Sequence, residues 1–348
     1  MTENLSMLNN YEDKGDKSFV QGFRYFFNPD PESMSSDEIR DLNSRALPKR
    51  IKNKFLKTTW HEMSSTTFII PVSDGGTVTA YFLINQKQKE EKGVMPLTIF
   101  CHGGGWLHGN MDFYSTWLNY FSYTMGTAVL LIDYRLAPTY KFPTAVEDCY
   151  DAILWAIEGA KYWKIDPDKI YLAGDGFGAT LAATATILLR DRKGPTLSGQ
   201  ILLYPMTDCR LRTESMENFK ETPVLSQKAL SWFIKNYSRE LKDSLSPMMS
   251  PSLAPDLSRL PDALIIGAEI DPLRDDAILY GQALSSAGTK AKVLIAENAM
   301  HGFLPFKNAN GREDAESAIW QFMAGRNVEN IEFLSKKEYK TFRKSHEI

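Results

Sequence analysis

Residues 169–190 read KIYLAGDGFGATLAATATILLR, an apolar strand-like run that passes through a glycine-rich turn into a helix-like segment. Two chemistries use a tight turn of this kind. The spacing G-x-G-x-x-A, which Gly174, Gly176 and Ala179 satisfy, is typical of a phosphate cradle. Gly174 and Gly178 also frame the sharp elbow G-x-S-x-G that presents a nucleophile, but here its centre is Gly176 instead of serine. The neighbouring segments decide between the two.

Around this turn, short apolar runs alternate with helix-like segments. The strand-like runs lie at residues 66–72, 77–84, 96–101, 128–133, 169–174, 199–204, 263–268 and 291–296. The first two flank SDGG, a hairpin signal, and the last six lack polar alternation, as strands buried on both faces do. A hairpin followed by repeated β-α units predicts an α/β fold with a mostly parallel, doubly wound sheet of about eight strands.

Local signals predict where some of the helices begin and end. Thr144 and Glu147 match a capping box at the start of one helix, and Gly194-Pro195 should stop the helix that follows the glycine turn. Asp271 stands before Pro272, a pattern typical of a helix N-cap with proline at the first helical position.

Two regions fall outside the β-α alternation. Residues 1–60 are polar and helix-like and contain an aromatic cluster, formed by Phe19, Phe23, Tyr25, Phe26 and Phe27. Residues 205–250 interrupt the alternation with the helix-like QKALSWFIKNYSREL. Insertions near the carboxyl ends of strands commonly cover a pocket, so we expect a cap from 1–60 and part of 205–250. Simple padding of the core is the alternative.

The remaining boundaries follow from these regions. The main domain should span residues 61–325, and residues 326–348 form a C-terminal extension whose mixed charges predict a surface helix. A homo-oligomer contact there is compatible with the sequence, but no residue pattern argues for it.

The composition is that of a globular protein, with 43% apolar and 24% charged residues among 348. A formal net charge of −3 gives no reason to expect nucleic acid or an anionic membrane surface as a partner. The apolar runs are too short to span a membrane, and residues 1–17 lack a signal-peptide core, so we expect a cytoplasmic protein. Cys101, Cys149 and Cys209 form no C-x-x-C pair and are expected to be reduced structural thiols.

The strand-like run 96–101 leads into His102-Gly103-Gly104-Gly105-Trp106. Consecutive glycines allow the backbone to approach a ligand closely and to aim several N–H groups at one point. Amide donors aimed at a developing negative charge are what the transition state of acyl transfer requires. A flexible linker would not need the bulky histidine and tryptophan at its two ends.

Asp271 and His301 each follow a late strand-like run. Open α/β sheets place their sites at the carboxyl ends of strands, which favours a functional role for both residues over the N-cap role of Asp271 alone. A glycine-rich loop, an elbow turn, an aspartate and a histidine, each after a successive strand, match the order of an α/β-hydrolase site.

At this point the sequence resembles the hormone-sensitive-lipase-like carboxylesterases of the α/β-hydrolase fold. The resemblance extends over about residues 60–310 and rests on six ordered motifs: HGGGW at 102–106, DYRLAP at 133–138, GDGFG at 174–178, YP at 204–205, DPLRD at 271–275 and HGF at 301–303. It implies hydrolysis of short- to medium-chain carboxylic esters, an N-terminal cap, and no metal or cofactor. The expected partner is a small ester or another hydrophobic ligand.

The resemblance also assigns roles to individual residues. Asp271 and His301 correspond to two members of the catalytic triad, and position 176 is the place of the nucleophile. The amides of Gly104 and Gly105, with that of Phe177 after the nucleophile position, correspond to the oxyanion hole.

The elbow departs from the family pattern at its centre. The family motif is G-D-S-A-G, whereas this chain has Gly176 for the serine and Phe177 for the small residue after it. Asp175 is expected to point away from the pocket and cannot replace the serine. The sequence argues against a dinucleotide site, because the turn lies deep in the chain, the next strand ends at Tyr204-Pro205, and Asp191 falls within the helix.

Three interpretations of Gly176 remain open. The chain could be an esterase disabled by a Ser→Gly change, which the intact Asp271, His301 and HGGG run favour. It could be a natural non-catalytic protein that binds a small hydrophobic ligand, which Phe177 favours. It could also be a weak hydrolase in which His301 activates a water beside Gly176, since triads without a nucleophile retain about 10³- to 10⁴-fold catalysis over water.

Overall fold

The computed structural model describes residues 34–44, 46 and 63–345, together with the single residues Val20 and Phe23. Within this part of the chain, eight strands form one sheet. They are β1 Met63–Pro71, β2 Thr77–Asn85, β3 Met95–Cys101, β4 Ala128–Asp133, β5 Ile165–Asp175, β6 Gly199–Leu203, β7 Ala263–Ile270 and β8 Ala291–Met300. Every strand-like run of the sequence is a strand, and the predicted α/β fold is confirmed.

Helices flank this sheet. Those in the described part of the chain are α1 Ser36–Ser44, α2 Gln86–Lys92, α3 Met111–Met125, α4 Thr144–Gly159, α5 Phe177–Asp191, α6 Glu214–Asn218, α7 Gln227–Tyr237, α8 Arg274–Ser286, α9 Arg312–Met323 and α10 Lys336–Ser345. Short 3₁₀ turns lie at Ala160–Tyr162, Leu241–Leu245, Pro251–Leu253 and Val328–Asn330.

The strand order across the sheet is β1-β2-β4-β3-β5-β6-β7-β8. β2 pairs antiparallel with β1 and β4, and the other pairings are parallel. The SDGG turn closes the β1-β2 hairpin, where the amide of Gly76 donates to Asp74 Oδ1 at 2.9 Å. Because β3 and β5–β8 run in one direction, their carboxyl ends share one edge of the sheet, where open α/β sheets place their sites.

The central strands are buried on both faces, as their unbroken apolar runs predict. Leu97 and Ile99 of β3 and Leu130 of β4 are fully buried. The free thiols Cys101, Cys149 and Cys209 are buried as well, in agreement with the prediction of structural cysteines.

The predicted capping box of α4 is wrong. Thr144 is the first residue of the helix, Pro143 occupies the N-cap position, and no side chain caps this end. The reason is a tertiary contact: both carboxylate oxygens of Glu147 accept hydrogen bonds from Arg192, each at 2.7 Å. Because Glu147 binds Arg192, its side chain is not available to cap the start of the helix.

The C-terminal extension differs from the single surface helix that its charges predict. Only Lys336–Ser345 is α-helical, and residues 331–335, between a 3₁₀ turn and this helix, have no regular secondary structure. The extension is also packed against α9, because the amide of Gln321 donates to Glu332 O at 2.8 Å and the buried Tyr339 hydroxyl donates to Glu316. Residues 346–348 lie outside the described residues.

Most of the predicted N-terminal cap, residues 1–60, lies outside the described residues, including Phe19, Tyr25, Phe26 and Phe27 of the aromatic cluster. The described parts are α1 and a few single residues, among them Phe23, which is buried. The other predicted cap region contains α6 and α7, which confirms its helix-like segment.

Candidate active site

Four loops meet at the carboxyl edge of the parallel strands. They begin after different strands, at His102 after β3, Gly176 after β5, Asp271 after β7 and His301 after β8. Gly103, Gly104 and Gly105 line one pocket together with Gly176 and His301. The structure therefore brings the residues predicted from the sequence to one place.

Asp271 and His301 are joined by the register of the last two strands. Ile270 of β7 pairs with Met300 of β8, so the residues that follow leave the sheet side by side. His301 Nδ1 lies 2.8 Å from Asp271 Oδ2, and both side chains are buried. A carboxylate at Nδ1 holds the imidazole in the tautomer whose Nε2 can accept a proton.

The same carboxylate also has a local structural role. Asp271 Oδ1 accepts a hydrogen bond from the Leu273 amide at 2.9 Å. The predicted N-cap is wrong in detail, because α8 begins at Arg274 and Leu273, not Asp271, precedes it. The two interpretations of Asp271 are thus compatible, since one oxygen orders the turn and the other binds His301.

Gly176 lies at the tip of the sharp turn between β5 and α5. Its backbone has φ 53° and ψ −116°, a conformation that side-chain-bearing residues rarely adopt. The amide of Gly176 donates to Leu203 O of the neighbouring strand at 2.9 Å. A Cβ added at this position would lie 3.2 Å from Nε2 and 3.4 Å from Cε1 of His301. The elbow therefore directs position 176 at the proton-accepting nitrogen of His301.

The glycine run after β3 has no room for side chains. Gly104 and Gly105 both have positive φ, 99° and 70°. A Cβ on Gly104 would lie 2.2 Å from His108 O, and one on Gly105 would lie 2.2 Å from Phe233 Cδ1. Only glycine can combine these backbone angles with such close approaches.

Three amides at the pocket are available to a ligand. Within the described residues, no hydrogen bond uses the N–H of Gly104 or Gly105. Phe177 is the first residue of α5, where a helix leaves its N–H groups without an intrahelical acceptor. Preorganised amides of this kind stabilise an oxyanion, with the positive end of the helix dipole behind one of them.

Asp175 holds the glycine loop against the elbow. Its Oδ1 accepts from the Gly103 amide at 2.7 Å, and its Oδ2 accepts from the Tyr114 hydroxyl at 3.1 Å. Burial raises the pKa of this carboxyl to about 6, and burial likewise raises the pKa of the Tyr114 hydroxyl, which stays a donor. The expectation that Asp175 points away from the pocket needs correction, because Asp175 is one of the lining residues. Both its oxygens are nevertheless engaged.

His102 does not provide a second base. Its ring is fully buried and stacks on Tyr134 with 4.2 Å between centroids. Desolvation lowers the pKa of His102 to about 4, so the imidazole stays neutral at physiological pH. The ring instead packs against the loop that follows it. It lies so close to Gly109 that a Cβ on this glycine would be 2.6 Å from His102 Cε1.

Phe177 belongs to an aromatic cluster above the elbow. Its ring is 3% exposed and packs edge-on against Trp106 at 4.5 Å and Phe233 at 5.5 Å between centroids. Trp106 in turn stacks on Tyr237 at 4.3 Å. The side chain that departs from the family pattern is therefore integrated into the packing between the elbow and α7.

The pocket is narrow and partly open to solvent. Besides the glycines and His301, its lining is mostly apolar and aromatic, with Phe23, Phe113, Tyr114, Val224, Leu225, Ala229 and Phe233. Such a lining suits a small, uncharged, hydrophobic molecule. Within the described residues, no cluster of His, Cys, Asp and Glu could hold a metal ion.

Asn43 of α1 fixes the segment that follows the glycine run. Its Nδ2 donates to Leu107 O at 3.0 Å, and its Oδ1 accepts from the Gly109 amide at 3.1 Å. Between these two residues lies His108, whose carbonyl crowds Gly104. A single side chain from the N-terminal region thus holds both ends of the turn that shapes the candidate oxyanion hole.

Sequence reasoning missed the residues that support this site from a distance. Tyr114 lies in α3, Phe233 in α7 and Asn43 in α1, and each contacts a segment of the site that is far away in the chain. One sequence feature indicated a role for Phe233, because its helix was expected to cover a pocket. Asn43 and Tyr114 carry no local motif, so only the packed structure identifies them.

Comparisons with known proteins agree with the fold. A family model described as alpha/beta hydrolase fold matches residues 98–305. The carboxylic ester hydrolase LipN of Mycobacterium tuberculosis is 40% identical over 218 residues, covering 61% of this chain and 58% of that protein. An arylesterase of Saccharolobus solfataricus is 36% identical over 209 residues, covering 60% of this chain and 68% of the relative. The chain therefore spans 58% of the length of LipN and 68% of the length of the arylesterase.

The fold is similar to that of solved esterase structures as well. The hyperthermophilic esterase from the archaeon Pyrobaculum calidifontis superposes with a TM-score of 0.77 at 31% identity, covering 87% of this chain and 94% of that one. In the part of this chain that has been described, no helix is both long and apolar enough to cross a membrane.

Proposed function

This chain belongs to the alpha/beta hydrolase family, and on that basis we propose that its pocket binds a neutral short- to medium-chain carboxylic ester, with hydrolysis strongly impaired by Gly176. The scaffold is that of a carboxylesterase-like α/β hydrolase, and the resemblance found in the sequence is confirmed at this level. The site assignments below are our proposal.

His301 is the general base and acid of the proposed reaction. Asp271 orients its ring through the 2.8 Å contact to Nδ1 and stabilises the imidazolium that forms. The ester carbonyl accepts hydrogen bonds from the amides of Gly104, Gly105 and Phe177, which stabilise the negative charge that develops on its oxygen. The apolar lining contacts the acyl and the alcohol groups of the ester.

The observation that carries this proposal is the geometry of position 176. The elbow retains φ 53° and ψ −116°, and a Cβ there would face His301 Nε2 at 3.2 Å. A residue with a side chain would be strained in this conformation, whereas glycine adopts it readily. This geometry supports a serine-hydrolase arrangement that lacks the nucleophile's hydroxyl and carries Phe177 beside it.

A second candidate function is non-catalytic binding of a small hydrophobic ligand. Phe177 favours it, because this buried ring reduces the space beside the elbow and packs on Trp106 and Phe233. This packing favours a protein that functions with Gly176 and Phe177 as they are. It argues against an esterase that has lost only the hydroxyl of its serine.

We further propose that α7 and the N-terminal region form the cap over this pocket. Val224, Leu225, Ala229 and Phe233 line it from the segment between β6 and β7, and Phe23 lines it from the N-terminal side. A lining contributed by both regions is what a cap provides, whereas padding of the core would leave the pocket to the sheet loops alone.

The variant Gly176→Ser tests the proposed function. We expect it to hydrolyse p-nitrophenyl butyrate at least about 10³-fold faster than the unchanged chain, because the covalent route becomes available. The control Gly176→Ser/His301→Ala should lose this gain, since the hydroxyl then has no base.

The two candidate functions differ in the result. An active Gly176→Ser variant supports the ester-hydrolase site. An inactive, folded Gly176→Ser variant, in a protein that still binds the uncleaved ester, would favour the ligand-binding function. Failure of both hydrolysis and ester binding would reject the proposal.

A further inference from the structure

We propose that Tyr204 is a positioning residue, whose ring holds the imidazole of His301 in a fixed place relative to the elbow. This inference deepens the proposed function and rests on it. Tyr204 begins the motif YP at 204–205, directly after β6, and the proposed reaction does not use this motif itself.

The ring of Tyr204 packs directly against the proposed base. Its centroid lies 4.9 Å from that of His301, and the two rings meet edge-on at an angle of 64°. A second contact, at 5.6 Å between centroids, reaches Phe303, two residues beyond His301. The hydrogen bond to Asp271 at Nδ1 does not by itself fix the tilt of the imidazole, whereas a contact with a second ring restrains it.

Tyr204 acts neither on the ester nor on its proton. Its side chain is 1% exposed and is not among the residues that line the pocket. Burial raises the pKa of its hydroxyl, and the carboxylates of Asp175 and Asp271 raise it further, so the phenol stays neutral. A neutral phenol outside the pocket lining is neither a base nor a contact of the ester. Its effect on the reaction therefore passes through His301.

The backbone around Tyr204 is attached to the elbow on both sides. The Gly176 amide donates to Leu203 O at 2.9 Å, one residue before Tyr204. The Met206 amide, two residues after Tyr204, donates to Gly176 O at 3.4 Å. Position 176 and the ring that contacts His301 thus belong to one hydrogen-bonded unit.

The backbone conformation of Tyr204 is itself unusual. Its φ is 38°, in the left-handed region that bulky residues rarely adopt. Such strain persists only where the surrounding contacts impose it, and it concentrates at functional sites. The contacts here are the hydrogen bond from its amide to Ile266 O of β7 and the packing on His301. Filling of the core alone gives no reason for a strained backbone.

Tyr204→Leu in the Gly176→Ser background tests this role. Leucine fills part of the same volume but removes the aromatic ring, so the imidazole loses its second contact. We expect kcat for p-nitrophenyl butyrate to fall by on the order of 10²-fold, as for a displacement of reacting groups by about 1 Å. KM should change little, because Tyr204 does not line the pocket. Tyr204→Phe keeps the ring and should keep most of kcat.

Tyr280→Leu is the matched control. Tyr280 lies in α8 and is fully buried as well. In the part of the chain that the structure describes, the ring in contact with His301 is that of Tyr204 and not that of Tyr280. The control should lower the melting temperature as Tyr204→Leu does, but leave kcat unchanged. An equal loss of kcat in both variants would mean that stability, and not the position of His301, limits the reaction.

The position of His301 can also be measured without hydrolysis. Proton–nitrogen NMR spectra of the unchanged chain, labelled at its histidine nitrogens, report the surroundings of each imidazole, and His301→Ala identifies the signals of His301. Loss of the neighbouring ring shifts these signals in any case. We therefore expect a further change in Tyr204→Leu, namely exchange broadening or a second set of signals, which reports an imidazole with more than one position. Tyr204→Phe and Tyr280→Leu should keep single, sharp signals.

Either an unchanged kcat or single, sharp His301 signals in Tyr204→Leu would overturn the inference. If Gly176→Ser hydrolyses the ester in that case, the proposed function still stands. If Gly176→Ser is folded but inactive, the proposed hydrolase site is wrong. The signals of His301 in the unchanged chain and in Tyr204→Leu then decide by themselves whether Tyr204 fixes this ring.

Discussion

His301 Nδ1 lies 2.8 Å from Asp271 Oδ2, although 30 positions separate the two residues in the chain. The contact follows from the pairing of Ile270 with Met300, which ends β7 and β8 at the same level of the sheet. It aims Nε2 of His301 at position 176. This pair is the structural basis of the proposed reaction, and it can be tested separately from the missing hydroxyl.

Asp271→Asn should disable His301 without removing it. An amide at this position can favour the wrong imidazole tautomer, so we expect the esterase activity of a Gly176→Ser background to fall about 10⁴-fold. The measurement is kcat for p-nitrophenyl butyrate. Asp256→Asn, at an exposed carboxylate, is the control and should leave kcat unchanged. A decrease of less than tenfold for Asp271→Asn would argue against its orienting role.

Phe177→Ala should enlarge the pocket and reduce stability at the same time. Removal of this buried ring should lower the free energy of unfolding by about 3–5 kcal/mol. In the Gly176→Ser background, kcat/KM should shift towards longer acyl chains, because the space beside the elbow grows.

Phe322→Ala provides the matched control for this change. Phe322 is also buried, but it packs on Tyr171 and is not among the pocket residues. It should cost a similar free energy of unfolding and leave the acyl-chain preference unchanged. The same shift in both variants would mean that loss of stability, and not pocket shape, changes the preference.

Asn43→Ala should loosen the glycine loop from a distance. Two hydrogen bonds are lost, each with a net contribution of about 0.5–1.5 kcal/mol. We expect amide hydrogen exchange in residues 103–110 to become about tenfold faster, a change that corresponds to about 1.4 kcal/mol. In the Gly176→Ser background, kcat should fall while KM changes little, since the loop amides act on the transition state.

Arg40→Ala tests whether this effect is specific to Asn43. Arg40 lies on the same helix, is exposed and pairs with Asp37. It should change neither hydrogen exchange in the loop nor kcat. Unchanged exchange in Asn43→Ala would contradict the positioning role of Asn43.

Asp276 should make the stability of the protein depend on pH. Its Oδ1 accepts from the amides of Thr207 and Asp208 at 2.8 and 2.9 Å, and burial raises its pKa to about 7. An acid with a raised pKa in the folded state stabilises below its unfolded pKa of about 3.9, and this contribution is lost as pH rises towards the folded value.

Urea unfolding between pH 4 and 7.5 measures this contribution of Asp276. We expect the contribution of Asp276 to the free energy of unfolding to fall with rising pH, by up to about 1.4 kcal/mol for each unit by which its pKa is raised. Asp276→Asn should remove this part of the dependence of the unfolding free energy on pH. Asp256→Asn is the exposed control. Equal slopes in the unchanged chain and Asp276→Asn would show that Asp276 does not titrate in this range.

The strands and the order of the site loops were predictable from the sequence because their signals are local. Unbroken apolar runs predict buried strands, and all six of these runs are strands, as are the two runs that flank the SDGG turn. Each loop of the site follows a strand-like run, so the parallel sheet brings the loops to one edge. These loops contain His102–Gly105, Gly176, Asp271 and His301. Helix ends were less predictable: Glu147 matched a capping box but binds Arg192 instead.

The sequence by itself determined the α/β fold, the loop order and the absence of a hydroxyl at position 176. Only the tertiary structure decided that Asp175 binds the Gly103 amide, that Asn43 holds the turn beyond the glycine run, and that Phe177 packs against Phe233. The physical reason is that apolar periodicity and glycine-rich turns act over a few neighbouring residues. Hydrogen bonds and ring contacts between distant segments exist only after the sheet has assembled and fixed their distances.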